Sequence, residues 1–158
     1  LIMCIRHGRK GGLQTGMTSD AEQSDLQRYH LQCGWLVLGG FLTMGLVLET
    51  LHGLKMDWYL NVGLENRRLL FTLAHAHGAL IGILHLAFSA TMPQMRLGAA
   101  LRWSSWCLLS ATILLPGGFL LGGIFLLGSD PGWGVFLTPL GGLLLIAAVL
   151  LAFRATTR

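Results

Sequence analysis

Four stretches of this chain run without a formal charge for about the length of a bilayer-spanning helix. No Asp, Glu, Lys or Arg lies between Arg28 and Glu49, Arg68 and Arg96, Arg102 and Asp130, or Asp130 and Arg154. A hydrocarbon core of ~30 Å takes roughly 20 residues at 1.5 Å rise per residue. The stretches lack the strict alternation of a transmembrane β-strand. Helices are the remaining structure that satisfies every backbone group in lipid. The expected fold class is therefore all-α: a polytopic integral membrane protein whose transmembrane helices, at about 31–53, 69–92, 103–128 and 133–153, form an antiparallel four-helix bundle.

No soluble domain is expected beside them. Of 158 residues, 53% are hydrophobic and 11% charged, where a soluble domain carries about 25% charge. Residues 1–30 read as a cytoplasmic tail, polar and glycine-bearing, with disorder expected through residue 18. Ser19-Asp20-Ala21-Glu22 fits a capping box that would start a short helix ahead of the first span. Residues 154–158 form a second short cytoplasmic tail.

Lys and Arg at the helix ends orient the crossings. Arg6, Arg9, Lys10, Arg28, Arg96, Arg102, Arg154 and Arg158 fall on one side, and Lys55, Arg67 and Arg68 on the other. The first group marks the cytoplasmic face, which places both termini inside the cell's inner (plasma) membrane. A start at Met17 would remove Arg6, Arg9 and Lys10 and leave the direction unchanged. Trp35, Trp58, Trp103, Trp106 and Trp133 all fall near helix ends, where amphipathic rings favour the headgroup zone. Arg67 and Arg68 read as headgroup anchors. The net charge of +4 does not point to nucleic acid, because no basic cluster is interleaved with exposed aromatics. The expected partners are the lipid bilayer and either another membrane protein or a second copy of the chain. Cys4, Cys33 and Cys107 show no metal or redox spacing and read as small buried side chains.

Glycines inside the spans predict close helix approach: Gly40 and Gly45 in the first, Gly118 and Gly122 in the third, Gly141 and Gly142 in the fourth. Pro116 and Pro139 predict a kink or local unwinding.

Chemistry concentrates where the first span ends and the second begins. Glu49 and His52 are three residues apart and share a helix face. The second span returns beside them with His75, His77 and, deeper, His85. Ionisable groups in a span are functional hypotheses by default, because placing them there costs free energy. Three readings stay open. Glu49, His52 and one of His75 or His77 would ligate a metal, or paired histidines a haem. Alternatively, Glu49 and His75 relay protons. In the third reading, these groups only bond one another and hold helices together. Two residues apart is about 200° around a helix, so His75 and His77 do not face one ion. The remaining motifs include no nucleophile elbow, zinc-protease helix or P-loop, so no catalytic residue is expected.

Three stretches carry a resemblance: Leu51-His52-Gly53-Leu54-Lys55, the His75-Ala76-His77-Gly78-Ala79-Leu80 run, and Thr138-Pro139-Leu140-Gly141-Gly142. Together, over about residues 34–153, they resemble the domain-of-unknown-function 423, or transmembrane-protein 256-like, family of small four-helix membrane proteins. Glu49, the His75/His77 doublet and Pro116-Gly117-Gly118 depart from its pattern. The resemblance implies a fold and a membrane address and carries no activity. The expected function is that of a non-catalytic or accessory membrane component with no bound cofactor. The alternative is a metal-binding, haem-binding or proton-relay protein using Glu49, His52, His75 and His77.

Overall fold

A computed structural model of the chain describes residues 6–60, 65–128 and 130–157, with side chains described from residue 20 onward. Helices account for nearly all of it: α1 (Arg6–Gly53), the one-turn α2 (Asp57–Leu60), α3 (Glu65–Thr91), α4 (Ala99–Ile124) and α5 (Leu137–Thr156). Short 3-10 turns, Met92–Gln94 and Trp133–Phe136, extend α3 and lead into α5. Four helices, all but α2, are long and apolar enough to cross a membrane.

Several boundaries move. Helix α1 is continuous from Arg6, so Ser19–Glu22 lie inside a helix rather than capping one. The stretch expected to be disordered is helical from Arg6 on, while residues 1–5 lie outside the described residues. Pro116 sits within an unbroken α4. Pro139 is the third residue of α5, in the first turn, where a missing N–H removes no intrahelical bond. Neither proline unwinds its helix.

Helix α1 ends in a Schellman arrangement. Lys55, at φ 51°, donates to His52 O, and Met56 donates to Leu51 O, each at 3.1 Å. These bonds satisfy the last carbonyls of the helix.

Packing passes from α1 to α3 to α4 to α5, each long helix resting on the next in sequence. Neighbours run in opposite directions. Gly34 meets Leu86 and Gly45 meets His75 across α1–α3; Gly118 meets Thr138 and Gly141 meets Leu115 across α4–α5. The core cluster includes Ile81, Phe88, Leu101, Leu108, Leu115 and Ala148, so it lies between α3, α4 and α5. The outward faces carry large apolar side chains, with Leu36 78% and Ile113 74% exposed. All five tryptophans are more than half exposed.

The glycine expectations divide. A methyl on Gly141 would lie 2.5 Å from Leu115 N, and Gly45 and Gly118 are similarly crowded. Gly122 is in ordinary contact with Val135. Gly40 and Gly142 are corrected: a methyl on either meets nothing within 4 Å, because both face away from the neighbouring helices of this chain. Sequence spacing missed Gly82, where a methyl would lie 2.7 Å from Leu38 N.

Candidate functional site

Three of the four expected residues come together. Glu49 and His52 on the last turns of α1, and His75 on α3, line one cavity of about 660 Å³ with Glu65 and Arg68. The His75 ring lies so close over Gly45 that any larger residue there would collide with it. Its Nδ1–H donates to Phe41 O across the helix interface at 2.6 Å. That bond fixes the tautomer and leaves Nε2 as a bare acceptor. His77 does not join. Its Nδ1–H donates to Leu73 O on its own helix at 2.8 Å, and its ring packs on Phe119 of α4. The two side chains thus leave α3 on opposite sides, as the helical angle between them requires. Among the described residues no three His, Cys, Asp or Glu side chains are grouped to hold a metal ion.

Arg67 is more than a headgroup anchor. It donates to Trp58 O at 3.0 Å and to Gly123 O at 3.4 Å, with its guanidinium 4.6 Å from the centre of the Trp58 ring. A cation beside the carboxyl end of α4 is favourable, because the final carbonyls there lack intrahelical partners.

The most completely buried polar cluster lies at the opposite end of the α1–α3 interface. His30 of α1 and His85 of α3 are both fully buried. Their Nδ1 atoms are 2.8 Å apart, with the rings stacked at a centroid distance of 4.9 Å. Phe88 covers His30 edge-on. His30 Nε2 is 2.7 Å from Ser105 Oγ, and His85 Nε2 is 2.8 Å from Thr112 Oγ1, both on α4.

Bond counting assigns every proton in this chain. Thr112 sits 2.7 Å from Leu108 O, a pure acceptor, so the threonine spends its one hydrogen there. It must then accept from His85 Nε2–H. Neutral His85 therefore presents a bare Nδ1, which accepts from His30 Nδ1–H. Neutral His30 in turn presents a bare Nε2, which accepts the Ser105 hydroxyl. The result is a directed chain from Ser105 through both imidazoles to Thr112, with each link satisfied. No buried side-chain nitrogen or oxygen among the described residues lacks a partner.

Ser105 also lines a cavity of about 540 Å³ with Glu22, Asp25, Tyr29, Arg102 and Trp106. Glu22 and Arg102, both in its lining, form an ion pair at 2.8 Å. The buried chain thus has one end on a charged vestibule and the other inside the helices.

Sequence reasoning missed His30 because the first span was expected to begin at residue 31, which left His30 at the end of the cytoplasmic tail. The usable signal was the antiparallel register. A histidine one residue before the apolar run lies level with the last turns of the returning helix, where His85 stands. No protein family, curated protein or solved structure matches the chain.

Proposed function

We propose that this chain is a polytopic membrane protein that crosses the bilayer four times as an antiparallel bundle. Both termini lie on the cytoplasmic side of the plasma membrane, and the protein acts as a non-catalytic membrane component. One observation carries this reading: the fully buried polar side chains His30, His85, Ser89, Ser104 and Ser105 bond across helices, while large apolar side chains such as Leu36 and Ile113 face outward. That is the reverse of a soluble surface, and an apolar belt of this extent fits lipid or a membrane partner. The excess of Lys and Arg on the side holding Arg28, Arg96, Arg102 and Arg154 supports the orientation.

The test is labelling of single cysteines with a membrane-impermeant maleimide in intact cells and in inverted vesicles. Positions 57 and 130 should label from outside, and positions 97 and 157 only in inverted vesicles. Labelling of 57 and 97 from the same side would end the four-crossing reading.

A second reading is favoured by the hydrogen bond from His75 to Phe41 O. Ligating histidines commonly give their other ring N–H to a backbone carbonyl. Here Nε2 is left free beside a cavity that also holds Glu49 and His52. In that reading His75 contributes one ligand to a metal or haem, and the remaining positions are filled by exchangeable ligands or a partner chain. Gentle detergent purification followed by metal analysis and an optical spectrum separates the two. A colourless, metal-free protein supports the first reading. A stoichiometric metal or a Soret band that His75→Ala abolishes supports the second.

A further inference from the structure

We infer that the buried His30–His85 pair is a binding site for one proton, filled through Ser105 from the vestibule at the Glu22–Arg102 end of the molecule. The inference goes beyond the membrane topology proposed above and is independent of any cofactor in the Glu49 cavity.

The bond pattern carries it. Of the four ring nitrogens of the neutral pair, His30 Nε2 alone takes its hydrogen bond from a hydroxyl. A hydroxyl can reverse, because it carries one donor and two acceptor sites on a freely rotating bond. When a proton arrives at His30 Nε2, that atom becomes the donor and Ser105 Oγ the acceptor. The Ser105 hydrogen swings free toward the vestibule. The two downstream links keep their direction: His30 Nδ1–H still donates to His85 Nδ1, and His85 Nε2–H to Thr112. No hydrogen bond is lost, and the bond between the rings becomes charge-assisted, roughly doubling its strength.

The balance is one proton in and one positive charge gained, with no bond broken other than the one that delivers it. The donor is a vestibule water carrying an excess proton.

A second proton has no such place. Protonating His85 Nδ1 as well would set two N–H groups head-on across 2.8 Å, replacing an attraction with repulsion between two buried cations. The capacity is therefore one. The far end is also closed, since Thr112 spends its hydrogen on a backbone carbonyl that does not pass protons on. From Ser105 to Thr112 is seven residues of α4, about 10 Å along its axis. The geometry describes a pocket for a proton that opens on one side, and not a conduit across the helices.

The charged surroundings suit a cation. From α1, Glu22, Asp25 and Tyr29 line the vestibule, and from α4 Arg102 does. Arg102 is matched by Glu22, which leaves the Asp25 carboxylate to attract positive charge. Helix α3 contributes His85 itself, and the thiols of Cys33 and Cys107 lie within a turn of His30 and Ser105.

The full chain, labelled with 15N-histidine and reconstituted in lipid nanodiscs, supplies the test. Ring-nitrogen shifts distinguish the two neutral tautomers and the imidazolium. At high pH one histidine of the pair should show the Nδ1–H tautomer and the other the Nε2–H tautomer, with His30→Gln and His85→Gln assigning them among the six histidine signals. On acidification a single imidazolium should appear at His30, His85 remaining neutral while the protein stays folded. Asp25→Asn should move that transition to lower pH. Ser105→Ala, which removes the reversible hydroxyl, should move it further. Four results would each overturn the inference: both histidines charging together, neither charging before the protein unfolds, a transition unchanged by Ser105→Ala, or the charge residing on His85.

Discussion

The two ends of the α1–α3 pair treat polar groups in opposite ways. At the Glu22 end the exposed Ser24 and Thr91 bond within their own helices, and the more buried side chains reach between helices. Gln23 donates to Met92 O and Met95 O beyond α3, Ser89 returns a bond to Gln27 O, and His30 joins His85 and Ser105. At the Glu49 end, most polar side chains bond back to their own helix: Thr50 to Leu46 O, Thr72 to Arg68 O, His77 to Leu73 O. His75 and Arg67 are exceptions. The difference follows from burial. A polar group sealed between helices must find a protein partner or lose its solvation outright. A group beside an open cavity of about 660 Å³ keeps access to solvent or ligand and needs none. The first end is built as a closed network, and the second keeps its chemistry unspent.

The sharpest way to break this comparison is to remove one residue from each end. His30→Ala leaves His85 Nδ1 and the Ser105 hydroxyl unsatisfied, His85→Ala leaves His30 Nδ1–H unsatisfied, and each opens a cavity as well. The expected loss is about 3 kcal/mol or more of unfolding free energy. Glu49→Gln and His52→Ala act on exposed side chains and should change it by less than about 0.5 kcal/mol. Denaturant unfolding in detergent micelles, followed by tryptophan fluorescence, measures both. Equal losses at the two ends would refute the contrast.

Much of this architecture was legible in advance, and the failures have physical causes. The charge-free gaps located all four long helices, because no other structure buries that many backbone groups without water. Boundaries were less legible: α1 continues through Ser19–Glu22, since a capping box also reads as ordinary helical sequence. Glu49, His52 and His75 share a cavity, which their spacing and the antiparallel return already implied. The His30–His85 contact depends on the register between two helices, and one helix's periodicity does not carry register. Gly82 was overlooked for the same reason, while Gly40 was credited with packing that its face of α1 does not make.

Those two glycines give the next largest effect. Gly82→Ala would place a methyl 2.7 Å from Leu38 N, a backbone atom that moves only if α1 shifts off α3. The expected cost is about 1–3 kcal/mol. Gly40→Ala meets nothing in this chain and should be neutral or stabilising by up to about 1 kcal/mol, since alanine loses less backbone entropy in a helix. If Gly40→Ala instead weakens assembly on native gels, that face of α1 packs on a partner helix. The comparison then extends from the interior to the outside of α1.

Arg67 tests whether the Glu49 end has any structural contact worth the name. Its bonds to Trp58 O and Gly123 O tie the α1–α3 connection to the end of α4. Arg67→Gln should cost about 1 kcal/mol and increase amide exchange in residues 57–60. Arg68→Gln, on an exposed neighbour that lines the cavity, should leave both unchanged.

The smallest effect separates local strain from tertiary packing at this same end. Lys55 holds φ 51° where α1 terminates, a left-handed conformation that costs an L-residue about 1 kcal/mol and glycine almost nothing. Its side chain is exposed, so little else opposes the exchange. Lys55→Gly should therefore stabilise the protein by up to about 1 kcal/mol, less whatever glycine loses in the unfolded chain. The gain should appear in global unfolding only if the end of α1 melts together with the rest. A gain seen in amide exchange of residues 48–56 but absent from global unfolding would show that the Glu49 end opens on its own. That is the behaviour expected of a segment whose polar groups are bonded within one helix, and it would place the flexible part of the molecule around the cavity that holds Glu49, His52 and His75.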